Sequence, residues 1–416
     1  MTVDSPRQRD LRRLIAGNSV STLGNAVYLI TVLLVLKSLS ESAFLLGLFQ
    51  FTVLLPGFLL SPIAGAIIDR MPRRTVIVVS DLFRGVLMVA AGFALFIPQM
   101  FTVQFILGVS LLAGIGHALF VPAALALVPS LVPPERLSAA NGMRAVSTQV
   151  ANLLGNAVGG GLFVLVGAPL VFVFNGLSFL FSGIAEMRIR TPGKPDAVGG
   201  HGLWRSAVEG LRAVALDQRL PLLLVSQAGL FVLTPFLLLS LPFVVIDELL
   251  MAESFVGLYF AIALAGGVAV FTLRRGADVA RMLRRPTLEV AYIALGGAFV
   301  TLALIPNPLT IAFSALLAGA SAAGVYLHVT TWIQTYTPSR LHGRVFALVE
   351  AASSLAAPIS YLVAGALLDA VGSDGRWLLF CCVAAVSAVW AAVVAGATVS
   401  RKRSDERAAF VSEADG

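Results

Sequence analysis

Long apolar runs, each interrupted by only a few polar residues, follow one another along nearly the whole chain. A bilayer core is crossed by about 20 apolar residues in helical form. Runs of that length fall near 12–36, 44–68, 75–97, 102–128, 138–166, 170–187, 220–246, 253–273, 286–305, 309–336, 344–371 and 375–399. The pattern predicts an all-α integral membrane protein with twelve transmembrane helices. Most connections are short; the exception, 188–219, is polar, rich in Gly and Pro at its start, and close to the chain midpoint. It is expected to be a cytoplasmic linker ending in an amphipathic helix on the membrane surface. The chain then divides into an N-terminal six-helix half (1–187), the linker (188–219), a C-terminal six-helix half (220–399) and a cytoplasmic tail (400–416).

Composition agrees. Of 416 residues, 58% are hydrophobic and 12% charged, and the mean hydropathy is +0.92. Soluble domains carry about 25% charged residues, so polar surface is too scarce for a water-soluble particle. The net charge of +7 raises the question of nucleic acid, but the arginines fall in short clusters between apolar runs, and no nucleic-acid partner is expected. With alternating spans, 26 of the 29 Lys and Arg lie on one side, Lys37 and Arg376 on the other, and Arg84 within a span. The positive-inside rule then places both termini in the cytoplasm of a cell-membrane protein. The first apolar run is too long for a cleaved signal peptide. The adjacent Cys381 and Cys382 lie in an apolar run and read as small hydrophobes.

Short matches recur across the midpoint. Leu-Leu-Ala-Gly occurs at Leu111–Gly114 and Leu316–Gly319, an offset of 205, and Pro-x-Arg-Leu at Pro134–Leu137 and Pro338–Leu341, an offset of 204. Both sit at the same topological place in each half. An even number of spans per half makes the repeats parallel, as in rocker-type secondary transporters.

Between the second and third spans stands Gly65-x-x-x-Asp69-Arg70-x-x-Arg73-Arg74. It resembles the loop signature of the major facilitator superfamily, and with twelve spans and a long central loop the resemblance covers nearly the whole chain. Asp81-x-x-Arg84 and the run Val128–Gly142, VPSLVPPERLSAANG, are similar to the branch containing macrolide and enterobactin exporters. Three departures stand out. Pro72 replaces the usual glycine of the loop; Gly155-Asn156-Ala157-Val158-Gly159-Gly160 lacks the proline of the antiporter signature; and the fourth span carries His117 in place of an arginine.

The resemblance implies a major facilitator fold, and a charge network of Gly65, Asp69, Arg70, Arg73, Arg74, Asp81 and Arg84 that latches the halves at their cytoplasmic ends. A loop whose arginines serve topology alone is the plainer alternative. It also implies that the first, fourth, seventh and tenth helices line a central cavity. Polar residues recur along those spans: Asn18, Ser21, Asn25 and Tyr28; Ser110 and His117; Gln227, between which and the span end lie Pro235 and Pro242; and Ser314, Ser321 and His328. They are candidates for a substrate or proton pathway or, equally, for helix–helix hydrogen bonds. The two histidines stand in matching patterns and titrate near neutral pH when solvated. Glu350, two turns into the eleventh span, is either a proton carrier or the partner of Arg344. Gly155, Asn156, Gly159, Gly160 and Gly161, with Ala357-Pro358 as their rough counterpart, are expected at sliding or hinge surfaces.

Other classes find little support. The one Gly-Lys pair, Gly193-Lys194, precedes Pro195, so no nucleotide-cradling loop is present, and the four histidines show no ligand spacing. No cofactor, no metal and no enzymatic activity are expected. The sequence points to a monomeric secondary transporter using protons to export an amphipathic small molecule, such as an antibiotic or siderophore. An importer of a small metabolite or a transporter-like membrane sensor is the alternative.

Overall fold

The computed structural model describes residues 6–60, 64, 67–68, 70–133, 136–190, 220–273, 287–337 and 342–414. The linker expected at 188–219 therefore lies outside the described residues beyond Arg190. Ten helices of 17 residues or more account for nearly everything described: α1 (Pro6–Leu39), α2 (Ala43–Leu59), α3 (Arg73–Ala94), α4 (Val103–Leu131), α5 (Leu137–Met187), α6 (Leu220–Phe243), α7 (Ser254–Leu273), α8 (Thr287–Leu304), α9 (Pro308–Tyr336) and α10 (His342–Ala414). Among the described residues nine helices are long and apolar enough to cross a membrane, and α2 is a shorter apolar helix. Helix α10 continues to Ala414, through residues expected to form a tail from 400 onward.

Two of the helices are double. Helix α5 turns at Gly167 (φ 76°) and α10 at Gly372 (φ 62°). Both angles lie in the left-handed region that glycine enters without a Cβ clash. The turns fall where the sequence separates its fifth from its sixth apolar run and its eleventh from its twelfth. Pro169 follows the first turn, where a missing N–H is tolerated.

Gly167 and Gly372 are 205 residues apart, and the same offset recurs in other architectural positions. Thr102 caps the first turn of α4 by accepting from Phe105 N, and Asn307 caps α9 by accepting from Leu309 N and Thr310 N. Gly114 of α4 lies against the Val53 carbonyl of α2, where a Cβ would approach to 2.9 Å; Gly319 of α9 lies against the Ala263 backbone of α7. The repeated Leu-Leu-Ala-Gly is thus the place where each half crosses two helices too closely for any side chain.

Within the N-terminal half, α1 and α3 pack along α5, and α4 packs on α2 and α3. In the C-terminal half, α7 packs along α9, and α8 bridges α9 and α10. Among the described residues the two main seams between the halves are α2 with the first arm of α10, and the first arm of α5 with α7. Some buried polar tips pair across helices. Tyr28 sits edge-on to Phe172, with ring centroids 4.9 Å apart, and its hydroxyl shares a 2.8 Å hydrogen bond with Ser110 of α4. Large apolar side chains such as Leu165 and Phe93 remain exposed on the outside, as suits a particle whose solvent is lipid.

Candidate functional site: the seam between the halves

The far end of the bundle is the one holding the end of α1 and the start of α2. There the halves are tied by named polar contacts. Asp369, near the end of the first arm of α10, accepts from Ser42 Oγ (2.5 Å), Ala43 N (2.6 Å) and Phe44 N (3.1 Å). It thereby adds a carboxylate to the first turn of α2, where unpaired N–H groups and the helix dipole favour negative charge. Lys37 Nζ lies 2.6 Å from Asp247 Oδ1 and 5.1 Å from the Phe243 ring centroid. Within the C-terminal half, Arg376 pairs with Glu248 beside the same ring and supports this end without crossing the seam. Pro242 precedes the wide π turn Val244–Glu248 that carries both acids.

Glycines make the seams narrow. A Cβ on Gly160 of α5 would meet Glu253 and Ser254 at the start of α7, and one on Gly365 of α10 would meet Ala43 and Phe44 at the start of α2. These two glycines are again 205 apart, so the counterpart of Gly160 is Gly365. The counterpart of Gly155 is then Ser360, not the Ala357-Pro358 step. Gly155 and Gly159 face α1, whereas the carbonyl of Asn156 lies against Gly257 of α7. Pro358 lies inside the first arm of α10.

The ties of Asp369 and Lys37 between the halves lie at the far end, and about two turns further along the α2–α10 seam Gln50 and Tyr361 share a side-chain hydrogen bond. Along α4, Ser110 is buried toward the far end, while His117 and Val121, on the same face nearer the other end, are exposed.

The residues expected to latch the opposite end separate into groups. Gly65 and Asp69 lie outside the described residues. Arg70 is exposed. Arg73 donates to the Ala126 carbonyl of α4 (2.8 Å) and Arg74 to the Met187 carbonyl of α5, so both brace the N-terminal half. Pro72 has φ −55° and opens α3, its carbonyl accepting from Thr75 N and Val76 N. The backbone there needs no glycine.

Asp81 and Arg84 are buried inside the N-terminal half, away from both seams. They pair with each other, and Arg84 lies between two rings, 4.7 Å from the Phe120 centroid and 4.2 Å from that of Phe179. Gly116 of α4 leaves the space that Arg84 fills. Glu186, fully buried in the second arm of α5, accepts from Ser182 Oγ at 3.4 Å and belongs to the same cluster. Glu186 escapes a reading of sequence alone because it stands beside Arg188 and Arg190, where it looks like part of a solvated boundary.

The pathway candidates are likewise divided. Asn18 donates to Thr148 Oγ1 of α5 (3.1 Å), Ser21 bonds to its own helix, and Asn25 is half-buried. Helix–helix hydrogen bonds thus engage Asn18 and Tyr28. Gln227 is buried with its Oε1 unpartnered. Ser314 bonds to Thr301 and the Ala298 carbonyl of α8, Ser321 donates to Leu317 O, and His328 is buried on the same face. His117 and His328 are not equivalent: they are 211 residues apart, six more than the structural offset of 205, which turns a helix face by about 240°. Glu350 lies in α10, its side chain outside what is described. Arg144, two turns into α5 with its Nε buried and unpartnered, is a cationic group that a reading of loops assigns to topology alone.

Residues 4–388 match the family model described as transmembrane secretion effector. A multidrug efflux pump, Tap, of Mycolicibacterium fortuitum is 28% identical over 345 residues, covering 78% of this chain and 80% of its own. Macrolide efflux protein A of Streptococcus pyogenes is 25% identical over 377 residues, covering 88% and 90%. The crystal structure of a bacterial homolog of the human lysosomal transporter Spinster superposes with TM-score 0.69 at 16% identity, over 95% of this chain and 96% of that one. The fold is that of the major facilitator superfamily.

Proposed function

We propose, from the premise that the chain belongs to the transmembrane secretion effector family of major facilitator transporters, that it exports amphipathic small molecules in exchange for protons. The family is one of transporters and not of enzymes. The observation that carries the reading is the seam's asymmetry: polar ties and glycine contacts between the halves at the far end, and an exposed His117 and Val121 on α4 toward the other. Placed by the positive-inside rule, the far end faces outward and both termini are cytoplasmic. The molecule then stands open to the cytoplasm, ready to take up a compound from inside. The chain crosses the membrane twelve times, α5 and α10 each supplying two crossings.

Export requires the far-end ties to open and the cytoplasmic ends to meet. Opening breaks a few exposed or half-exposed pairs, each worth about 1 kcal/mol or less, so the two states lie close in free energy. The sequence supplies a matched pair of latch motifs. Gly365-Ala-Leu-Leu-Asp369 at the far end of α10 has the same form as Gly65-Ala-Ile-Ile-Asp69 at the cytoplasmic end of the second run. Asp369 caps α2 in the present state; Asp69, beside Arg70, Arg73 and Arg74, serves the closed cytoplasmic end.

The relatives named for efflux of macrolides and of several drugs favour a cargo with apolar bulk and a basic amine. Inside-out membrane vesicles from cells expressing the protein, energised to an acid lumen, are expected to accumulate erythromycin, and to lose it when the pH gradient is collapsed. Accumulation of no member of a macrolide, tetracycline and siderophore panel contradicts the proposal. Gradient-driven loss from the lumen indicates an importer, and binding without movement a sensor.

A further inference from the structure

Asp81, Arg84 and Glu186 gather between α3, α4 and the second arm of α5: Arg84 pairs with Asp81, Ser182 reaches both acids, a Cβ on Gly183 would meet Asp81 at 3.5 Å, and Glu186 is close enough to interact with the Arg84 charge. Asp81 and Glu186 are fully buried and Arg84 nearly so. The Arg84 guanidinium pairs with one oxygen of Asp81 and is held between the Phe120 and Phe179 rings. One oxygen of each acid, Asp81 Oδ2 and Glu186 Oε2, is buried with no partner. Asp81 and Arg84 suffice as a structural ion pair. Glu186 then stands as a second acid, with one hydroxyl, that of Ser182, near it at 3.4 Å.

Were both acids ionised, the cluster would carry a net negative charge in surroundings that solvate charge poorly, a state that proteins avoid by taking up a proton. Among the described residues, the charged groups whose contacts are known near the cluster are engaged elsewhere. From α4, His117 lies near enough to feel the Arg84 charge, yet its side chain is exposed on another face. At the end of α5, Arg74 donates to the Met187 carbonyl and Arg13 to the Arg188 carbonyl, Asp10 holds Arg13 and the Arg190 N–H, and Arg188 itself is exposed.

We propose that this cluster is a proton-binding site, with the proton on Glu186 while the molecule is open to the cytoplasm. The inference deepens the antiport reading given above and rests on it for the use made of the proton. Release converts the Glu186 carboxylic acid to a carboxylate, sends the proton toward the cytoplasmic end one residue away, and leaves Arg84 shared between two anions. Aromatic walls on both faces of the guanidinium let it turn from one acid to the other without solvent.

The test is an infrared titration of the purified full-length protein in detergent, reading the C=O band of protonated carboxyl groups. Wild type is expected to show such a band at neutral pH. Glu186→Gln, which mimics the protonated form, is expected to lose it, and Glu253→Gln, at the far end, to keep it. A band of unchanged intensity in Glu186→Gln, or none in wild type, overturns the proposal. If Glu186→Gln does not fold, Glu186→Asp carries the same test, because its shorter side chain must shift the band and an unshifted band is contrary. In vesicles, the ratio of erythromycin uptake with and without a pH gradient is expected to collapse in Glu186→Gln; a ratio equal to wild type also overturns the coupling role. A wild type that moves no erythromycin counts against the transport reading, and the infrared result alone then decides the proton site.

Discussion

Adding one methyl group at Gly319 would drive it into the backbone of α7 at Ala263, whereas at Gly297 a Cβ meets nothing within 4 Å. Gly→Ala in an open helical position usually stabilises by about 0.4–1 kcal/mol, and overpacking costs about 1–3 kcal/mol. The two substitutions are therefore expected to move the unfolding midpoint of the detergent-purified protein in opposite directions, Gly297→Ala upward and Gly319→Ala downward. Equal midpoints would show that the crossing is looser than described. At this scale the sequence was partly legible. The repeated Leu-Leu-Ala-Gly marked Gly114 and Gly319 without saying why they repeat, since closeness between helices is a property of two segments and not of one. Asp81 and Arg84 were visible as an i, i+3 pair, but Glu186, 102 residues beyond Arg84, meets them only through packing of α5 on α3. Pro72 fits the backbone where it stands, because the start of α3 asks for a φ that proline already has.

Helix α2 begins on a carboxylate that belongs to the other half. Removing a helix-cap acceptor costs typically about 1 kcal/mol, which is roughly a fivefold change in an equilibrium constant. Asp369→Ala is expected to shift the balance toward a far end that opens. A cysteine replacing Leu239, buried beside Gly47 at the seam, would then react with a thiol reagent roughly fivefold faster, on a background lacking Cys381 and Cys382. An unchanged rate would mean that Asp369 does not hold the seam. Elements were the most legible scale. Runs of about 20 apolar residues located the helices because lipid leaves the backbone no partner but itself. The breaks at Gly167 and Gly372 coincide with gaps between runs. Apolar periodicity located faces less well: Ser314, Ser321 and His328 form a stripe by spacing, yet Ser314 bonds to α8 and the stripe is buried, because in lipid a polar face turns toward another helix as readily as toward a cavity.

For the whole molecule, the half-chain offset links the two caps, the two helix crossings, the two seam glycines and the two left-handed turns. It makes the halves equivalent in architecture, while Asp369, Lys37 and Asp247 make the far end unlike the other. Two halves were legible from the repeat; which end is closed was not, because closure depends on contacts between residues such as Ser42 and Asp369, 327 positions apart. Alternating access between equivalent halves is the central claim, and paired spin labels test it most directly. One pair replaces Phe44 and Leu367 at the far end of the α2–α10 seam, and the other replaces Met143 and Leu273 at the opposite end of the α5–α7 seam; all four positions are exposed. Distances measured across a range of pH, with and without erythromycin, are predicted to move reciprocally, the first lengthening whenever the second shortens. Distances that both stay fixed, or that lengthen together, would contradict it.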